Sequence, residues 1–221
     1  MEREDPVTRI VLADDHVLFR NALAALINKF DNCTVIAEAG NGCELMKVIE
    51  SGVVPDLLIL DLNMPRMDGF DTAKWIKAHH PEINILILTM YDTEITMIRL
   101  LQVGVKGFLK KDSSPWDLES AIRNVMQSGY CYTNNMTGKL INLFRKSQEQ
   151  SAIMNSMLSD IEITFLKYAC SDMTYDEIAK KMGVKPRVVD LIRDRLFKKL
   201  GVNSRQGLAM SSIRHCIYTF L

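Results

Sequence analysis

Five polar residues stand where apolar runs end. Asp14 and Asp15 follow Ile10-Val11-Leu12-Ala13, and Asp61 follows Leu57-Leu58-Ile59-Leu60. Thr89 follows the run from Ile83 to Leu88, and Lys111 closes Gly107-Phe108-Leu109-Lys110. If the runs are neighbouring strands, three carboxylates, one hydroxyl and one ammonium meet at one edge. Three carboxylates repel one another unless a cation joins them. Oxygen ligands at a cleft mouth suit Mg2+, which keeps waters and binds one or two carboxylates plus a phosphate. Lys111 can pair with a carboxylate or with phosphate oxygens, and Thr89 can donate a hydrogen bond to a phosphoryl oxygen. The set suits an aspartate that accepts a phosphoryl group. Taken alone, Asp61 could equally cap the next helix or end its strand in water.

The elements between these residues decide how they meet. Four apolar residues in a row before Asp61 suit a strand buried on both faces. Arg9 to Ala13, Cys33 to Ala39, Ile83 to Leu88 and Gly107 to Leu109 read as four more strands. Helical spacing appears between them. It joins Leu18, Ala22, Leu23, Leu26 and Ile27, and then Leu45, Val48 and Ile49 within Glu44 to Glu50. Further helices are expected over Asp71 to His79, over Asp92 to Val103, and from Ser114-Pro115 through Leu118, Ile122 and Val125. Pro115 would sit at a favoured first-turn position. Five strands alternating with five helices predict an α/β fold, a doubly wound, five-stranded parallel sheet. Its strand-end edge is where ligands bind.

The formal charge of the 221 residues is zero but uneven. Residues 1–125 hold 13 Lys and Arg against 19 Asp and Glu, whereas residues 156–221 hold 11 against 7. An acidic part followed by a basic part predicts two domains with different partners, the second able to meet nucleic acid. Cys33, Cys43, Cys131, Cys170 and Cys216 form no C-x-x-C pair, so neither zinc nor a disulfide framework is indicated. The charged start MEREDPVTRI lacks the apolar core of a signal peptide, and no apolar run has membrane-spanning length. A cytoplasmic protein with reduced cysteines and no membrane contact is expected.

The first part resembles the receiver domain of bacterial two-component response regulators. The resemblance rests on Asp14-Asp15, on D-L-N-M-P from Asp61, on Leu88-Thr89 and on the G-F-L-K-K run ending at Lys111. It implies that Asp61 is the phosphoacceptor, fed by a sensor histidine kinase. It implies that Asp14, Asp15 and Asp61 hold Mg2+, with Asn63 lending its backbone carbonyl. It assigns Thr89 and Lys111 to the phosphate and makes Thr89 and Phe108 the switch pair. Lys111 is preferred over Lys110 because the family lysine lies four residues after the glycine matching Gly107. His16 reads as opening the first helix in solvent rather than as a ligand, and His79 and His80 as surface residues. Met64 and Met67 read as loop packing, and Trp75 and Trp116 as partly buried.

Residues 1–127 thus read as the receiver and 128–157 as a linker, with a short helix at Leu140 to Phe144. Residues 158–221 read as a small all-α helix-turn-helix domain. Ser159 with Glu162, and Thr174 with Glu177, are capping boxes. Gly183 makes a tight turn between Tyr175–Met182 and a helix from Pro186 to Leu200, and two such helices form a helix-turn-helix. The run from Met173 to Val202 resembles the LuxR-type DNA-binding domain. A receiver followed by that domain is the arrangement of the NarL/FixJ class of transcription regulators. The resemblance implies double-stranded DNA as partner and a homodimer when phosphorylated or DNA-bound. Lys185, Arg187, Asp190, Leu191, Arg193, Asp194, Arg195 and Lys198 are the candidate DNA-facing residues.

One departure stands out. Asp190 occupies a position that is often lysine in the family, and Asp194 one that is often basic. An Asp can accept from cytosine N4, or it can bond a neighbouring Arg and hold its fork. The alternative is a regulator acting through protein contacts alone. An aspartyl-phosphate phosphatase is disfavoured, because its general acid two residues past the nucleophile would be Asn63. The last helix, Ser204 to Phe220, carries Ala209, Ser211 and Ser212 among larger apolar residues; a dimer contact is expected there, with packing of the same stripe on its own domain as the alternative or as a second role.

Overall fold

The computed structural model describes residues 6–90, 93–131, 158–215 and 217–218. Most of the expected linker, including the helix at Leu140 to Phe144, lies outside the described residues, as do Cys216 and Phe220. The chain divides into two compact units, one holding the sheet and one the C-terminal helices.

In the first unit the strands are β1 (Thr8–Ala13), β2 (Cys33–Ala39), β3 (Leu57–Leu60), β4 (Asn84–Thr89) and β5 (Gly107–Lys110). All pair in parallel, in the order β2-β1-β3-β4-β5. The helices alternating with these strands are α1 (Val17–Ile27), α2 (Gly42–Glu50), α3 (Gly69–His79), α4 (Glu94–Gln102) and α5 (Pro115–Ser128), of which α4 up to Ile98 groups with the second unit. Alternate strand residues Ile10, Leu12, Leu57, Ile59, Leu86, Leu88 and Leu109 pack on Leu23, Ala24 and Ile27 of α1 and on Leu118, Ala121, Ile122 and Val125 of α5. Val11, Leu58, Leu60, Ile85, Ile87 and Phe108 point the other way and are buried as well. Each such Leu or Ile contributes roughly 1.5–3 kcal/mol, so β3 has no residue that could move to water.

Two expectations are corrected here. Leu18 is 85 % exposed and Ala22 is also exposed. The buried face of α1 is Leu23, Ala24 and Ile27, with Phe19 and Leu26 packed beside them, so the inward stripe runs through Phe19 and Leu23 rather than through Leu18 and Ala22. Trp116 is 73 % exposed. It follows Pro115 in the first turn of α5, whose Leu118 turns inward instead.

The second unit holds α6 (Asp160–Ala169), α7 (Tyr175–Met182), α8 (Pro186–Leu200) and α9 (Arg205–Arg214). Both capping boxes form, Ser159 with Glu162 and Thr174 with Glu177. Gly183 (φ 67°) and Gly201 (φ 64°) end α7 and α8 in the left-handed region, which glycine enters without steric cost. The core is Phe165, Leu166, Ala169, Ile178, Ala179, Val189, Ile192, Leu196, Leu208 and Ile217. Ser211 and Ser212 are buried in this same domain, and Ser212 Oγ donates to Leu208 O at 2.8 Å. The small-residue stripe of α9 therefore serves its own core. What α9 turns outward is Gln206, Met210 and Arg214, with Ala209 and Ile213 half-buried.

A buried ion pair ties α8 to α6. Lys199 Nζ lies 2.8 Å from Glu162 Oε2, the oxygen that also accepts the Ser159 N–H. Burial alone would raise the Glu162 pKa, but Lys199 and the Ser159 cap outweigh it and hold it below the usual glutamate value. A lowered carboxylate pKa stabilises the fold above the unfolded value, and that stability is lost as pH falls through the folded value. Removing one partner of a buried pair strands the other. Glu162→Gln should therefore cost about 2–4 kcal/mol at pH 7. The deficit should vanish as pH falls below about 4, as read from urea unfolding of the full chain.

Candidate functional site

The sheet changes direction at β1. The chain runs from β1 outward to β2, then returns to place β3 on the other side. Such a reversal opens a crevice at the carboxyl ends of the strands. Asp14 and Asp15 end β1 and Asp61 ends β3, so the three acids flank that crevice. Backbone bonds fix both strand ends: Asp14 N donates to Ala39 O at 3.1 Å and Asp61 N to Ala13 O at 2.9 Å. Gly69 opens α3 so close to this loop that a Cβ would stand 2.2 Å from the Asp61 carbonyl oxygen.

Lys111 lies between two of the acids. Its Nζ is 2.7 Å from Asp14 Oδ2 and 2.8 Å from Asp61 Oδ2. The remaining Asp61 oxygen, Oδ1, accepts the Leu62 N–H at 2.8 Å. Asp14 and Asp61 are both buried. Burial pushes the Asp61 pKa up to about 6, against the pull of Lys111. Burial works against the Lys111 ammonium too, but Asp61 and Asp14 outweigh it and hold its pKa above the usual lysine value. Burial wins at Asp61 because one ammonium serves two carboxylates. Lys110 is half-buried and pairs with Thr89 in the sheet. Thr89 is fully buried at the end of β4, and its carbonyl accepts the Lys111 N–H at 3.0 Å. Phe108 is buried on β5 and Asn63 half-buried in the loop after Asp61.

Asp14, Asp15, His16 and Asp61 bring donor atoms within 4.8 Å of one another. His16 occupies the N-cap position of α1 and is exposed, as expected. Its Nδ1 nonetheless approaches Asp15 Oδ1 (2.8 Å) and Asp14 Oδ1 (3.3 Å). Asp15 Oδ1 is buried and receives no aligned hydrogen bond among the described residues. A buried carboxylate oxygen clustered with two further carboxylates fits a hard divalent cation.

Two supporting residues were not foreseen from sequence. Arg20 donates to the Asp14 carbonyl through Nη1 and pairs with Glu38 at 3.1 Å. Phe19 places its ring 5.0 Å from Lys111 Nζ. Both lie one turn into α1. No strand-end pattern marks them.

In the second unit, Lys185, Arg187, Asp190, Leu191, Asp194, Arg195 and Lys198 are exposed along α8. Arg193 is not free. Its Nη1 donates to Asp190 Oδ1 (2.9 Å), and its Nε and Nη2 donate to Asp194 Oδ1 (3.0 and 2.8 Å). Its guanidinium stands 5.4 Å from the Tyr175 ring centroid.

Two families match this pair of units. One, described as response regulator receiver domain, matches residues 10–123. The other, described as bacterial regulatory proteins of the luxR family, matches residues 156–212. The chain belongs to the response regulators of the NarL/FixJ class. Like others of this class, it joins a receiver to a LuxR-type DNA-binding domain and is a transcriptional regulator. It is 31 % identical to the oxygen regulatory protein NreC of Staphylococcus epidermidis, over 96 % of this chain and all of that one. It is 30 % identical to the transcriptional regulatory protein YdfI of Bacillus subtilis, over 96 % and 99 % of the two chains. In fold it is similar to RcsB of Salmonella enterica serovar Typhimurium, solved bound to the rprA promoter with a phosphomimetic. The TM-score is 0.68 and the identity 23 %, over 92 % of this chain and 97 % of RcsB. No described helix of this response regulator is long and apolar enough to cross a membrane.

The clustered acids carry a cost that a substitution can expose. The folded Asp61 titrates near 6 and an unfolded Asp near 3.9. Between those values the folded state holds the proton more tightly, so the carboxylate costs the fold stability as pH rises through the window. Asp61→Asn should be more stable than the wild type at pH 7 in chelator, by about 1–3 kcal/mol. That advantage should shrink as pH falls from about 6 to about 4, measured by paired urea titrations.

Proposed function

We propose that this response regulator accepts a phosphoryl group on Asp61 from the phosphohistidine of a sensor kinase. The observation that carries the reading is the sharing of Lys111 between buried Asp14 and Asp61 at the reversal of the sheet, beside the buried Asp15 oxygen. In the transfer, an Asp61 carboxylate oxygen bonds to phosphorus as the bond from phosphorus to imidazole nitrogen breaks. Little covalent work falls to the protein, so positioning and charge neutralisation supply most of the acceleration. The Leu62 N–H orients the carboxylate, and Lys111 is within reach of the incoming phosphate. Asp14, Asp15 and Asp61 would hold Mg2+, with the backbone carbonyl of Asn63. The ion would supply charge neutralisation for the transferring oxygens.

A phosphate on Asp61 adds charge and acceptors beside Thr89 and Lys111. Thr89 turns its hydroxyl to that phosphate, and Phe108 repacks into the space it leaves. Phe108 has no hydroxyl, so coupling through it is packing alone. Such a change biases an equilibrium between two existing states. In the output domain, α8 enters the major groove of double-stranded DNA, and two copies of the chain bind paired half-sites. The family match to the luxR group and the exposed cations of α8 support this reading. With Ser211 and Ser212 taken by the core, the dimer contact falls to the outer side of α9 around Ala209, Met210 and Ile213.

Two experiments test the proposal. Acetyl phosphate with Mg2+ should label the wild type, whereas Asp61→Asn should take up no label and Asp15→Ala should lose the Mg2+-dependent part. Label at the wild-type rate in Asp61→Asn would remove the assignment. In DNA titrations, Arg187→Ala should weaken binding and flatten the slope of log K against log salt by about one. An unchanged slope would mean that Arg187 touches no phosphate.

A further inference from the structure

The outer side of α8 carries an acid at its centre. Arg187, Leu191, Asp194 and Lys198 follow at intervals of four, three and four residues, the repeat of one helix face. All four are exposed, opposite the buried Val189, Ile192 and Leu196. Asp194 therefore stands in the middle of the row that meets base edges if α8 lies in the major groove.

An unsupported carboxylate there would be repelled by DNA. Asp194 is supported. Its Oδ1 takes two hydrogen bonds from Arg193, and Asp190 Oδ1 takes a third. The two acids and the arginine together carry one negative charge instead of two. The arginine sits deeper than the acid it holds, with 26 % of its side chain exposed against 58 % for Asp194. Its guanidinium is also steadied near the Tyr175 ring. Three of its five N–H groups are committed. With Oδ1 bonded to this fixed fork, the Asp194 carboxylate has a set orientation. The group that the cluster presents outward is a carboxylate oxygen, an acceptor only.

The major groove offers few donors to such an acceptor. Guanine N7 and O6 and thymine O4 are themselves acceptors and repel it. Adenine N6 donates, but the N7 acceptor stands beside it. Cytosine N4 donates with an acceptor, guanine O6, on one side alone, whereas adenine N6 has N7 on one side and thymine O4 on the other, and Asp is a suitable partner for cytosine. We propose that Asp194 is a specificity-determining residue that selects a cytosine in the DNA half-site, with Arg193 as its positioning residue. This rests on the reading that α8 enters the major groove.

The test is selection from random duplexes by the full chain, phosphorylated with acetyl phosphate, followed by titration of the selected sites. The wild type should enrich a half-site with one position held as cytosine. Asp194→Asn is exposed and nearly isosteric, so it should fold as the wild type does. It should keep the half-site but prefer adenine at that one position, because an amide pairs with adenine N6 and N7 together. The cytosine-to-adenine ratio of Kd should move by about tenfold or more. Arg193→Ala should blur preference at that position alone, whereas a merely structural role would degrade every position equally. If Asp194→Asn tightened binding by one factor on all sequences, Asp194 would be a repulsive charge and the inference would be wrong. If the wild type bound DNA and enriched no sequence, the inference would fail while DNA binding stood. If it bound no DNA, both would fail.

Discussion

One ammonium shared by two buried carboxylates is the constraint on which the first unit depends. Lys111 directly follows β5, Asp14 β1 and Asp61 β3, and no two of them are close in sequence. Holding them within hydrogen-bond distance requires four parallel strands in register and helices that seal both faces of the sheet. The desolvation of Asp61 is the cost of that closure. It is also what makes the site responsive, because a buried and under-neutralised carboxylate gains from any cation or phosphate chemistry that rebalances its charge. The close approach of Gly69 to the Asp61 backbone and the Arg20 bond to the Asp14 carbonyl serve the same end.

The second unit solves a different problem with the same kind of pair. Its helices are short, and propensity alone would not hold them. Capping boxes start α6 and α7, left-handed glycines stop α7 and α8, and the Glu162–Lys199 pair fixes the end of α8 against α6. The outer side of α8 is then free to carry charge of either sign. Its acids do not destabilise the helix, because Arg193 pairs with both.

The strand ends were legible because apolar runs that stop at an acid, a threonine or a lysine leave few ways to fold. The parallel sheet, the helices and both capping boxes follow from periodicity and local chemistry. Leu18 and Trp116 were misread because apolar residues on neighbouring positions, Leu18 with Phe19 and Trp116 with Leu118, leave open which of them the helix turns inward. The role of the small residues of α9 was open in the sequence, because Ser211 and Ser212 suit a close helix contact equally well inside a domain or between two. The bonds of Arg193 to Asp190 and Asp194 were open in the sequence, since an acid one turn before an arginine, or next to it, can face it or face away. Arg20 and Phe19 carry no motif, and only the fold brings them to Asp14 and Lys111.

The central claim is that this shared-charge site exists to place a phosphoryl group on Asp61. The most direct measurement is chemical mapping of the phosphorylated full chain. Acetyl phosphate and Mg2+ load the protein, borohydride reduces the acyl phosphate to an alcohol, and peptide mass spectrometry locates the homoserine so formed. The account predicts conversion at Asp61 alone, and none without Mg2+. Conversion at Asp14 or Asp15 with Asp61 intact would contradict it.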